Sequence, residues 1–345
     1  MTYAGAALVD VAALLVLLLT ADAAAQPKAD VVTLANGDRI TGEVKGLDRG
    51  RLEFSTDDAG TLYLEWDKLA SVVADREFEV VTHDGRRFLG SLRPAARGSV
   101  SIAIGNTTVA LTIPEVTIIR PIGTGFWRKL DGSFDAGFSY TRSSGVAQLN
   151  VNSDTVFRQP ASQTRLTASF TLTETDEDPG RDDRGIIEAS YLRYPWREWF
   201  IVGVTRFENN ESLGLELRSQ IGIATGPRLI NSNRGQLSLG GGLVFNDERG
   251  VDVEAVRNVE ALLLFRTSFF TYDRPKTNLD VGVQYYPSLS KRGRQRLELD
   301  ADVKREFFKD LFVAFSVYHS YDSRPPNPTA DRNDVGVVAS IGWTY

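Results

Sequence analysis

The chain has no cysteine, one methionine and only two histidines. Without cysteine there is no disulfide framework, no thiolate metal site and no cysteine-borne lipid anchor. His83 and His319 alone cannot make an imidazole metal cluster, and no glycine-rich phosphate loop is present. We therefore expect no cofactor and no metal. Thirteen prolines in 345 residues are too few for a disordered or polyproline chain. A formal charge of -6 with no basic stripe argues against nucleic acid as a partner. A mean hydropathy of -0.19 excludes a helical membrane protein. It does not exclude a membrane barrel, whose strands are only half apolar.

The longest apolar run, VAALLVLLLT at 11–20, is well short of the ~20 residues a spanning helix needs. It is followed by ADAAAQ, with Ala23 and Ala25 at the small-residue positions of a cleavage site. Residues 1–25 thus read as a signal peptide cut between Ala25 and Gln26. The usual basic start is missing, and Asp10 stands there instead.

What the chain does have is alternation. At its C-terminus, DVGVVASIGWTY places Val335, Val337, Ala339, Ile341, Trp343 and Tyr345 on one side of an extended strand. Gly336, Ser340, Gly342 and Thr344 fall on the other, with Val338 the exception. A terminal strand ending in an aromatic residue suits a barrel that closes on itself in a membrane, and Ile341, Trp343 and Tyr345 are its predicted C-terminal signal.

Near the N-terminus a segment repeats. VVTLANGDRITGEV (31–44) matches FEVVTHDGRRFLGSL (78–92), aligning Gly37 with Gly85 and Gly42 with Gly90, and LEWDKLASV (64–72) matches LTIPEVTII (111–119). Each copy opens with a strand, an Asn-Gly or Asp-Gly turn and a second strand. The copies resemble tandem Sm-like or Src-homology-3-like small barrels, a type that binds peptides or assembles edge to edge; a folded spacer is the alternative. Trp66 aligns with Ile113, which predicts a core position.

After a linker, PIGTGFWRK (121–129), about twelve strands are predicted, at 130–141, 146–158, 164–175, 185–194, 199–207, 213–224, 236–245, 258–271, 277–286, 294–307, 311–321 and 334–345. Most reach the ~9–11 residues that cross a bilayer. Short connections alternate with longer polar ones, as expected of periplasmic turns facing outer loops. In the tenth strand Arg296, Glu298, Asp300, Asp302 and Lys304 alternate with Leu297, Leu299, Ala301 and Val303, making them candidate lumen charges. Gln148, Asn150, Asn152 and Asp154 form a second polar ladder, and Thr167, Ser169, Thr171 and Thr173 a third. A soluble β-sandwich shows similar alternation, and strand length is what favours the barrel.

The segments DGSFDAGFSYTRSSG (131–145), RFENNESLGLELRSQIG (206–222), NSNRGQLSLGGGL (231–243) and REFFKDLFVAFSVYHSYDSRPP (305–326) resemble the domain of unknown function 481 family. That resemblance implies a salt-induced outer-membrane barrel of Gram-negative bacteria and supplies no reaction. Tyr321, Asp322, Ser323, Arg324, Pro325 and Pro326 match its most recognisable loop motif, and Glu208, Asn210, Glu216 and Arg218 are also family-typical.

The expected architecture is all-β: a transmembrane antiparallel barrel of about 12 strands at 130–345, preceded by small β-barrel repeats at 26–75 and 76–120. The expected role is a non-enzymatic outer-membrane protein, a narrow pore or a scaffold, with its N-terminal module in the periplasm. Expected partners are outer-membrane lipid and lipopolysaccharide, the barrel-assembly machinery, and a periplasmic protein or peptidoglycan through 31–120. The alternative is an outer-membrane hydrolase, a lipase or protease, with rim carboxylates Asp322 and Asp331 or Asp334. His319 beside Ser320 does not make a catalytic pair, because adjacent strand residues face opposite ways. The acidic loop DEDPGRDDR (176–184) lacks the ordered spacing of a calcium loop and reads as solvated surface.

Overall fold

The computed structural model describes residues 28–123, 126, 129–141, 146–175, 181–210, 215–250, 253–273, 275–308, 311–325 and 332–343. The expected signal peptide with its Ala25–Gln26 cut, Pro326, Asp331 and Tyr345 lie outside them.

Nine strands make the N-terminal module: β1 (Asp30–Leu34), β2 (Arg39–Asp48), β3 (Arg51–Ser55), β4 (Thr61–Glu65), β5 (Leu69–Thr82), β6 (Arg87–Arg93), β7 (Ser99–Ile104), β8 (Thr107–Thr112) and β9 (Val116–Pro121). The sequence repeat recurs in the pairing. β1 pairs with β2, opposing Asp30 to Gly42, just as the second half of β5 pairs with β6, opposing Phe78 to Gly90. β1 pairs with the first half of β5 as the second half of β5 pairs with β9. Gly37 and Gly85 hold φ of 99° and 76° in the two hairpin turns, where side chains are disfavoured. The copies are nevertheless one body. β5 runs unbroken through the expected 75/76 boundary, with a bulge between Ala74 and Glu77. One core holds Val32, Val44 and Phe54 together with Val80, Ile102 and Ile119. Trp66 is buried in it, and its indole N–H donates to the carbonyl of Ile113, its own counterpart, at 2.6 Å.

Twelve strands make the second sheet: β10 (Leu130–Thr141), β11 (Val146–Gln159), β12 (Ser162–Thr175), β13 (Arg181–Trp196), β14 (Trp199–Asn210), β15 (Leu215–Asn231), β16 (Gly235–Gly250), β17 (Val253–Thr271), β18 (Thr277–Pro287), β19 (Gln295–Phe308), β20 (Leu311–Asp322) and β21 (Asn333–Trp343). Each pairs antiparallel with the next, forming one up-and-down barrel sheet. Among the described residues no backbone pairing joins β10 to β21, the two ends of the pairing order. Several strands outrun their expected ends. β16 and β17 stay paired as far as Gly250 and Val253, which leaves only residues 251–252 between them where a 12-residue loop at 246–257 was expected. Polar side chains let this hairpin continue, Arg257 bonding to Asp247 across it at 3.0 Å.

The side-chain parity is consistent around the sheet. One face carries Phe138, Tyr191, Phe207, Ile221, Ile223, Leu243, Phe245, Leu263, Phe269, Val335, Val337 and Ile341, all exposed, Ile341 to 73%. Opposed pairs on the other face include Asn150–Thr171, Glu188–Arg206, Asn246–Gln220 and Arg296–Asp322. There Asn246 and Glu260 are fully buried. A water-soluble sandwich has the reverse arrangement, apolar inside and polar outside.

A candidate functional site in the barrel interior

The inward residues of β13 to β20 build three layers. Toward the end of the sheet that carries the 288–294 connection lies a chain of ion pairs. Glu188 and Glu208 approach Arg206 at 3.7 and 3.3 Å, Arg218 approaches Glu208 at 3.7 Å and Glu248 at 3.2 Å, and Arg294 reaches Glu248 at 3.2 Å and Asp322 at 2.6 Å. Beside it Arg296 meets Glu260 at 2.7 Å and Glu298 at 3.5 Å, with its guanidinium 4.5 Å above the Tyr286 ring. The Glu260 carboxylate also accepts from the Asn246 and Asn258 amides at 2.7 and 2.9 Å. Glu248 on β16 and Arg294 before β19 are separated in the sheet by β17 and β18, so the pair ties non-adjacent strands together.

Below this layer Ala224, Val244, Leu262 and Tyr286 pack with Val202 into a small apolar cluster. In 199–207 and 262–265 neither face is cleanly polar in sequence, because this inward patch is apolar like the outside. The third layer is at the short-turn end, where the N-terminal module is seated. Arg49, at the tip between β2 and β3 with φ of 51°, reaches inward-facing Asn278 at 2.6 Å and Asp280 at 3.1 Å, 4.7 Å above the Phe270 ring. The Tyr272 hydroxyl donates to the Arg49 carbonyl at 2.9 Å. The turns between β11 and β12, β13 and β14, β15 and β16, and β17 and β18 all touch the module. The Ala161 amide donates to Glu79 at 2.8 Å, Arg87 lies over the Tyr194 ring at 4.8 Å, the Asn233 amide donates to the Val116 carbonyl at 3.0 Å, and Lys68 meets Asp273 at 3.4 Å.

The candidate lumen charges divide. All five share the inward parity of β19: Asp302 opposes Asp280, and Lys304 opposes Asn278. Arg296 and Glu298 join the ion-pair layer, whereas Asp300, Asp302 and Lys304 are exposed and Lys304 lies 3.7 Å from the Phe312 ring centre. Of the loop motif, Asp322 belongs to the ion-pair layer, Ser323 accepts from the Gln295 amide at 2.8 Å, and Arg324 donates to the Arg292 carbonyl at 2.9 Å. Tyr321 pairs with Asn333 and Pro325 follows in the loop. Glu208 and Arg218 lie in the ion-pair chain, Glu216 is exposed, and the side chain of Asn210 is outside the described residues. Glu248, Glu260 and Arg294 are absent from the sequence reading. Only Glu260 carries a signal, an acid alone in an apolar strand, as in NVEALLLF; Glu248 in the polar run NDERG and Arg294 at a strand start carry none.

As a carboxylate pair, Asp322 with Asp331 or Asp334 cannot be assembled from the described side chains, and Asp322 is already engaged by Arg294 and by the Arg324 amide at 2.9 Å. His319 shares the outward parity of Leu299 and contacts Asn333 at 3.3 Å, while Ser320 faces inward opposite Glu298. Among the described residues no group of three or more His, Cys, Asp or Glu could hold a metal ion.

These features define a class: a twelve-stranded β-barrel with an apolar wall, an ion-paired interior and a small β-module on its short-turn end. The family model described as "Protein of unknown function, DUF481" matches residues 134–345, and the chain belongs to that family. No curated protein matches the chain. A solved bacterial polysaccharide outer membrane secretin aligns at 10% identity and a TM-score of 0.36, over 78% of this chain and 97% of its own.

Proposed function

We propose that the protein is a non-enzymatic outer-membrane barrel of a Gram-negative envelope, its module on the periplasmic side, and that it is a stoppered barrel rather than an open pore. The observation that carries this reading is the inverted distribution of polarity. Large apolar residues point outward around the sheet while charged ones pair inside. An Arg or Lys on a lipid-facing wall costs ~2–4 kcal/mol at the midplane, so only the paired face suits an interior. The ion pairs, the Tyr286 cluster and Arg49 then obstruct the bore in sequence along its length.

On this reading lipid and lipopolysaccharide contact the outward face, and the barrel-assembly machinery reads the last strand around Ile341 and Trp343. A periplasmic protein or peptidoglycan strand would meet residues 31–120, whose sheet ends in β4 and β8. The test is planar-bilayer recording of the refolded full chain. The expected result is no steady conductance; sustained single-channel steps at low voltage would reject the stopper. Lipid or peptide hydrolysis lost on Asp322→Ala would reject the non-enzymatic part.

A further inference from the structure

The junction of module and barrel contains a pocket that neither the stopper nor the ion-pair layer uses. It lies between the β5–β6 hairpin turn and the β13–β14 turn, and is lined by Arg86, Arg87, Phe88, Tyr194, Trp196 and Arg197 around Gly85. The lining carries three guanidinium groups, and the nearest acid, Glu198, packs against Gly85 and is faced by Arg228 at 3.5 Å. Arg87 is held by Glu79 at 2.6 Å and stacks on Tyr194, whose ring Arg228 also faces at 4.9 Å. Arg86 is oriented by Asp84 at 2.8 Å and Glu115 at 3.7 Å. Arg197 is exposed and has no ion pair among the described residues.

The position of this pocket matters as much as its charge. Trp196 and Trp199 oppose each other at the end of the β13–β14 ladder, and Trp196 is 66% exposed. Trp343 is likewise exposed at the short-turn end of β21. Exposed tryptophans at one end of a barrel mark the interfacial girdle, and lipid phosphates lie just beyond it. Arg197 is the next residue after Trp196, and the module brings Arg86 and Arg87 to the same place. Gly85 fixes the two turns together: a Cβ there would come within 2.6 Å of Glu198 Oε1 and 2.7 Å of the Arg197 carbonyl carbon.

We propose that this junction is a binding site for the phosphodiester headgroup of a glycerophospholipid in the module-side leaflet. Arg86 and Arg197 would offer N–H forks to the phosphate oxygens, and Trp196 and Phe88 would line the glycerol end. The inference rests on the membrane-barrel reading. Native mass spectrometry of the full chain in detergent micelles tests it, with phosphatidylglycerol titrated in. One retained phospholipid is expected, with retention about tenfold weaker in Arg86→Gln/Arg197→Gln at equal lipid concentration. Arg197→Gln alone, which breaks no internal pair, should show part of that loss. Unchanged retention in both variants overturns the site. Displacement of the lipid by equimolar inorganic phosphate overturns the lipid assignment. A chain whose gel mobility is the same before and after boiling would defeat the barrel reading itself, which separates the two failures.

Discussion

Glu260 sits in an apolar stretch of β17, between Val259 and Ala261, and is fully buried. It is stable there because Arg296 and two asparagine amides satisfy its oxygens. Removing one partner of such a pair leaves an uncompensated buried charge, at a cost of ~3–5 kcal/mol. Glu260→Ala should therefore lower the temperature at which the folded gel band converts, and Glu260→Leu combined with Arg296→Met should recover most of the loss. An equal loss in the double variant would show that the charges themselves are needed. In the module, burial raises the Glu43 carboxyl, but hydrogen bonds and charges from Lys45 and Arg76 outweigh it and hold its pKa below the usual range. A depressed carboxylate stabilises above its unfolded pKa, and that contribution disappears as pH falls through the folded value. The module should thus lose stability below pH ~4, and Glu43→Gln should flatten the decline. Urea midpoints followed by Trp66 fluorescence, with the other tryptophans replaced by phenylalanine, would measure it. Alternation in the sequence placed Arg296 and Glu298 inside but could not find Glu260 or Arg294. It reports which face a residue takes, whereas a partner beyond an intervening strand depends on the curvature of the sheet.

At the scale of elements, twelve barrel strands were legible because each is long and half apolar. Their outer ends were not, since polar hairpins such as Asp247–Arg257 continue the ladder past any hydrophobic signal. Nor was the sharing of β5 visible, because a repeat announces two copies and not the strand they hold in common. The two end strands of the pairing order, β10 and β21, make a further prediction. Unpaired backbone groups facing lipid cost several kcal/mol each, so in a bilayer the edges should pair. Ala136→Cys combined in turn with Val335→Cys, Val337→Cys, Ala339→Cys or Ile341→Cys, all on outward parity, should give a disulfide for one register. No cross-link in vesicles from any of the four would mean the sheet stays open. Inside the last ladder, Gly336 lies under the Tyr318 ring, where an added Cβ would collide with it. Gly336→Val should weaken the β20–β21 hairpin, seen as faster amide exchange there than in β15–β16.

For the molecule as a whole, the decisive contact is Arg49 in the barrel mouth. It bonds two inward residues, stacks on Phe270 and is held by Tyr272. Arg49→Ala should leave the gel mobility of the folded barrel intact while permitting transient current bursts in bilayers that the parent chain lacks. Silence in both chains would place the seal in the ion-pair layer alone. That the module is seated on the short-turn end of the barrel is beyond what alternation and a repeat can reveal, because neither carries information about how two folded bodies meet.

The β5 strand, passed from one copy to the other, also determines where the chain tolerates change. A peptide spliced in at residues 75–76 would sever a ribbon that both halves need and should melt them together in one step. The same insert at the exposed tip 57–59 would extend a hairpin that belongs to a single copy. With this strand held in common, neither half can be excised without opening the core of the other.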